Sequence, residues 1–272
     1  MKQYYLTNKF YEDKMKNKSL IFFVSLLALL FYFNGCDKAD DNPVSPGTGG
    51  TSGNQSGQPI PAILNTNGTL VAISFGYTVP GLPISVDYVM GYALLGLPNG
   101  VDAGTVAVNG NNLTKSTQGS VIYYNSFSST NPTSLQNVLF DGSSAHNWNI
   151  SGGNGIPSFT ASLIPPKDFN ITKPTAGSNV TKSGGLEVKW STVGSSASDS
   201  IMIVVAGSSG TPYTSSILSN SGTYQISAAS ISSISGDAVL QVVKFRYTLK
   251  NADNKNYAVI AEIVKTVNIV LV

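Results

Sequence analysis

The chain has 272 residues, 42% of them hydrophobic, so it holds enough apolar surface to build real cores and is not a disordered protein. Only 11% of residues are charged and the formal charge is +2. Solubility therefore rests on Gly, Ser, Thr and Asn, and the basic footprint of a nucleic-acid binder is absent. The small positive charge belongs to the N-terminus: Lys2, Lys9, Lys14, Lys16 and Lys18 face only Glu12 and Asp13 before residue 36, which leaves 11 basic and 12 acidic residues beyond it.

Residues Leu20 to Phe33 read LIFFVSLLALLFYF and follow the lysines directly. This run of 14 residues has the length of a signal-peptide core and falls short of the ~20 needed to span a bilayer as a helix. Met15, followed by KNKSL, is the expected true start. Phe33-Asn34-Gly35-Cys36 comes next and holds the only cysteine of the chain. With a small residue, Gly35, before Cys36, it resembles the lipobox of bacterial lipoproteins. That resemblance implies cleavage after Gly35, lipid on Cys36, and a membrane as partner through several acyl chains. Each buried methylene contributes about 0.8 kcal/mol, so several chains hold where one is marginal. Asp37-Lys38-Ala39-Asp40-Asp41 resembles the short acidic export signal of Bacteroidota lipoproteins, with Asp37, Lys38, Asp40 and Asp41 as the residues that carry it. It implies the outer face of the outer membrane, with the periplasmic face as the alternative.

From Asn42 to Pro61 the chain reads NPVSPGTGGTSGNQSGQPIP, with no apolar periodicity. Such a segment buries too little surface to offset its ordering entropy and is expected to act as a tether. About 25 residues reach roughly 28 Å by square-root scaling.

Beyond residue 62 short β-favouring segments alternate with turn clusters, and no window carries a helical stripe, so the expected fold class is all-β. Strands are expected at Thr69 to Tyr77, Ser85 to Leu95, Thr105 to Asn109, Ser120 to Asn125, Leu135 to Phe140, His146 to Ser151 and Ser158 to Ile164. Pro165-Pro166 interrupts the pattern. A boundary is placed there, giving two β-sandwich domains over residues 62–166 and 167–272. The second series begins at Phe169 to Thr172. It continues through Leu186 to Trp190, Ser200 to Ala206, Thr223 to Ser227, Ala238 to Leu249 and Tyr257 to Val272, with NADNKN (251–256) as a hairpin loop. In LEVKW the alternation turns Leu186, Val188 and Trp190 to a core. This order of strands resembles immunoglobulin-like and fibronectin-type-III-like domains of bacterial surface proteins, a likeness of pattern over the last 105 or so residues that implies a sandwich and no function.

Chemistry is sparse. His146 is the only histidine, so Cys/His metal sites have no ligand set, and no cofactor is expected. A Ser-His-Asp triad would need His146 and Asp141, which lie in one short stretch, and no Gly-x-Ser-x-Gly elbow occurs. Carboxylates that a glycosidase would pair, Asp87, Asp102, Asp141, Glu187 and Asp237, fall mostly in turns or on solvent-facing positions. Asp199-Ser200-Ile201 matches the short O-glycosylation acceptor pattern of Bacteroidota. Tyr123, Tyr124 and Phe127 run into a Ser- and Asn-rich loop and are the candidate contacts for a glycan or protein ligand. The expected function is that of a lipid-anchored, non-enzymatic binding, adhesion or structural module. A glycan- or peptide-capturing accessory of an uptake complex comes second and a hydrolase third.

Overall fold

The computed structural model describes residues 66–78, 85–97, 99–126 and 134–272, and the leader, Cys36, the residues around it and the tether lie outside these. The described chain is all-β. Its first strands are β1 (Gly68–Thr78), β2 (Ser85–Leu95), β3 (Val106–Val108), β4 (Asn111–Asn112), β5 (Thr114–Gln118), β6 (Val121–Asn125), β7 (His146–Ile150) and β8 (Phe159–Leu163). After the Pro-Pro step come β9 (Ile171–Lys173), β10 (Asn179–Val180), β11 (Leu186–Trp190), β12 (Ser200–Ser209), β13 (Tyr213–Thr214), β14 (Leu218–Ser219) and β15 (Thr223–Ile226). A long hairpin of β16 (Ser235–Ala252) and β17 (Lys255–Leu271) completes them.

One sheet of ten strands carries everything else. Its main order is β13-β12-β16-β17-β1-β2-β6-β5, so strands from both sides of Pro165-Pro166 share it. The joint is the parallel pairing of β1 with β17, from Gly68 opposite Tyr257 to Phe75 opposite Val264. β1 and β17 are apolar on both faces, as central strands are, and the apolar terminal strand is accordingly paired along both edges.

Two smaller sheets lie against one face of the large one. Sheet β4-β3-β7-β8 closes a core with Leu70, Ala72, Ala93, Leu95, Trp148, Ile150, Phe159 and Tyr257. Sheet β15-β11-β9 closes another with Leu186, Val188, Trp190, Ile201, Ile203, Leu240, Val242 and Ile263. The cores thus divide near the Pro-Pro step while the sheet beneath them runs on.

Between the cores the same face turns polar. Asp199, fully buried, accepts from Arg246 Nη2 at 2.6 Å and Nε at 3.1 Å. Arg246 also donates to the Ile164 carbonyl at 3.1 Å. Lys265 meets Asp168 at 2.9 Å and Asp87 at 3.3 Å. Lys244, with no exposed surface, sits 4.7 Å over the Phe169 ring and donates to Ser195 Oγ at 3.3 Å. Chain segment 164–169 is thereby held to the sheet at its carbonyl, its carboxylate and its ring.

The opposite face of the large sheet is also apolar. Val71, Ile73, Met90, Phe245 and Ile260 are buried there, and Glu262, 1% exposed, lies opposite Phe245 and Ile73 in the ladder.

One expected strand is absent and one unexpected strand is present. Leu135 to Phe140 is not a strand, because Asn137 takes a positive φ of 58° and its carbonyl accepts from the Asn109 side chain. The backbone of Gln136 is bound by the Asn111 side chain, so Leu135 and Val138 reach the first core from an irregular loop. Conversely Thr114 to Gln118, polar throughout, forms β5 because it pairs along β6 at the sheet's edge, where no face has to be buried. The loop over 251–256 is a tight hairpin, with Asp253 and Asn254 at φ of 51° and 56°.

Three consequences are measurable. Trp190, 4% exposed with its Nε1 donating to Asn220 at 2.7 Å, should cost about 3–5 kcal/mol on replacement by Ala in chemical denaturation. Burial raises the Glu262 carboxyl to about 8 from its ordinary 4.5. Across that window the folded chain keeps a proton that the unfolded chain has lost, so stability falls as pH rises. Burial lowers the Lys244 amine to about 8 from 10.5. Between those values the unfolded chain holds the extra proton, so stability rises with pH. Denaturation midpoints should therefore pass through a minimum near pH 8, the falling limb lost in Glu262→Gln and the rising limb in Lys244→Met.

Candidate functional site

The strongest candidate is a cleft of 860 Å³ between β8 and the far end of β16. Its walls come from two alternating segments. In HNWNI the even residues His146, Trp148 and Ile150 enter the first core, which leaves Asn147 and Asn149 outside. In FTASL the residues Phe159, Ala161 and Leu163 enter it, which leaves Thr160 and Ser162 outside. The register sets Asn147 opposite Ser162 and Asn149 opposite Thr160, a patch of two amides and two hydroxyls. Across the cleft stand Thr248 and Lys250, half-buried, on a part of β16 that extends beyond the second core.

Asn109 pins one end. It holds a left-handed φ of 45°, donates to the Asn137 carbonyl at 2.7 Å and the Ala145 carbonyl at 3.3 Å, and accepts from the Asn147 N–H at 2.7 Å. Asn is suited to this, since its short side chain tolerates positive φ and bonds nearby backbone. One side chain therefore ties the β3–β4 turn to the loop before β7.

Backbone direction follows from the same contacts. The Asn147 carbonyl accepts from the Asn109 N–H, and Ser151 N–H donates to the Thr105 carbonyl, so the odd residues of β7 turn their backbone groups toward β3. His146, Trp148 and Ile150 then turn theirs to β8, where they face Leu163, Ala161 and Phe159. Thr160 and Ser162 are left with N–H and C=O pointing away from β7, along the free edge of the four-stranded sheet. The next outward carbonyl in the alternation, that of Ile164, is the one that accepts from Arg246. Trp148, which lines the cleft, is 1% exposed and its Nε1 has no hydrogen-bond partner.

The residues singled out from the sequence fall elsewhere. Gly35, Cys36, Asp37, Lys38, Asp40, Asp41 and Phe127 lie outside the described residues. Tyr124 is 1% exposed; its hydroxyl donates to Asp102 Oδ1 at 2.9 Å and accepts from Ala103 N–H at 2.8 Å, which leaves no surface for a ligand. Tyr123 is half-buried and stacks on Tyr92 with ring centres 5.8 Å apart.

His146 has no exposed surface; burial lowers its pKa, Nε2 lies 2.8 Å from the Leu139 carbonyl and the ring edges onto Phe140. Asp141 acts on it only through its charge and makes no hydrogen bond to it. That carboxylate accepts from Ser144 Oγ and from the N–H groups of Ser143 and Ser144, bonds that hold it well below the usual carboxylate range. Asp102 is pulled to about 2, first by the Lys115 ammonium at 2.8 Å and then by the Gly104 N–H. Glu187 pairs with Lys173 and Lys189, and Asp87 with Lys265, each in a different place on the surface. Ser200 is 1% exposed, so the hydroxyl of the glycosylation-like tripeptide is closed off in the folded chain. No group of three or more His, Cys, Asp or Glu placed to hold a metal occurs among the described residues.

The cleft was not read from the sequence. Its polar alternation is visible in HNWNI and FTASL, but only the strand order makes β8 an edge. Replacing Asn109 by Ala removes three hydrogen bonds at a strained backbone position, and should lower stability by about 2–3 kcal/mol with loss of order in the β3–β4 turn, measured by denaturation and amide exchange. No protein-family model matches the chain, and no curated protein matches it either.

Proposed function

We propose that this chain is a lipid-anchored protein of the bacterial cell envelope, held by acyl chains on Cys36 at the outer-membrane surface, whose β-sandwich part binds a ligand and performs no chemistry on it. The anchor is supported by the sequence: a basic start, an apolar run of signal-peptide length, Gly35-Cys36, and a tether rich in Gly and Ser. The observation that carries the binding reading is the open cleft along β8. Its lining offers amides, hydroxyls and one amine, Lys250, and sets no pair of titratable groups across from one another. The lining holds no histidine or carboxylate, the usual general acids and bases, whereas recognition needs only donors and acceptors in fixed places.

The second reading is an accessory that captures a glycan or peptide for an outer-membrane transporter, to which the same cleft would offer its ligand site. A tether of roughly 28 Å would let the bound ligand be presented at a distance from the lipid surface.

Mass spectrometry of the mature N-terminus should show an acylated cysteine at position 36, and Cys36→Ala should move the protein from the membrane to the soluble fraction. A Cys36→Ala protein that stays membrane-bound would sink the anchor. Hydrolysis of an offered polysaccharide or peptide that persists in His146→Ala would contradict the non-enzymatic reading.

A further inference from the structure

We infer that the free edge of β8 accepts an extended polypeptide segment as an added strand, with an acidic side chain of that segment meeting Lys250. The inference rests on the binding reading of the cleft and names its ligand class.

A sheet edge is satisfied in few ways. Thr160 and Ser162 turn two N–H and two C=O groups into the cleft, spaced by one residue, and no described group bonds them. Another strand meets such a row at regular spacing along its whole length. The fold already closes the next position, where Arg246 takes the Ile164 carbonyl, so the open stretch has a defined end. A sugar ring would find no aromatic face here, since the only aromatic residue of the lining, Trp148, is 1% exposed.

The cleft also selects by charge. Lys250 is the only charged residue of its lining, and no described carboxylate pairs with it. Asn149 and Thr248 are neutral polar members of the same lining. An incoming strand that turns alternate side chains toward β16 therefore meets one amine and a hydroxyl, which suits an acidic residue flanked by small polar ones.

The test uses the full chain, labelled for NMR, and a synthetic nonapeptide of alternating Thr and Val with a central Asp. Binding should slow the exchange of the Thr160 and Ser162 amides. Ser162→Pro removes one outward N–H without touching the β7 ladder, a position at which an edge strand tolerates proline, and should weaken binding about tenfold or more. Ser162→Ala keeps that N–H and should retain more of the binding than Ser162→Pro does. The fold is checked independently through a charge exchange: Lys250→Glu should lose the Asp peptide and gain one carrying Lys in its place. Amides that stay unprotected with millimolar peptide present, or a Ser162→Pro protein that binds undiminished, would overturn the inference. So would cellohexaose displacing the peptide, or protection that grows with protein concentration alone, which would assign the edge to a second copy.

Discussion

The β16–β17 ladder is the structure on which the rest is assembled. It pairs from Gly236 opposite Leu271 to Ala252 opposite Lys255, and one of its faces contributes Tyr257, Val259 and Ala261 to the first core and Ile263, Ile269 and Leu271 to the second. Because side chains alternate strictly, a slip of one residue in this hairpin would turn both sets away from their cores together. The two positive-φ residues at its tip, Asp253 and Asn254, fix that register at its origin.

Two cores on one sheet raise the question of what keeps them apart. The belt of Asp87, Lys265, Asp168, Lys244, Arg246 and Asp199 supplies the answer, since charged groups with fixed partners cannot merge into either apolar cluster. Asp199 and Arg246 are the well-defined pair, with a forked contact and a buried carboxylate. Such a pair adds little net stability over an apolar replacement, while breaking it would strand a charge, so its contribution is to specify where segment 164–169 must lie.

Much of the fold could be read from the chain itself. Ser85–Leu95 and Leu186–Trp190 were legible to the residue, because each couples strong β-formers to clear turn signals. The turn over NADNKN was legible for the same reason. Thr114–Gln118 was not, since its partner β6 rather than its own composition makes it a strand. Leu135 to Phe140 was misread because two asparagine side chains, one 28 and the other 25 residues away, capture its backbone. The site was harder still. An edge is a property of strand order, and no local pattern reports which strand will have one neighbour. The aromatic loop drew attention for its composition, yet Tyr124 is used to hold Asp102 and Ala103 in place.

The parallel pairing of β1 with β17 has a consequence for the order in which the sheet can assemble. Leu70 lies beside Val259, so the central joint of the sheet cannot form until a strand far along the chain is present. Contacts so distant in sequence close slowly. Until β17 is in place β1 has only β2 beside it, and the smaller sheets, whose strands pair with near neighbours in the chain, have no continuous floor to pack against. The two cores are therefore closed by the last joint to form rather than by the first.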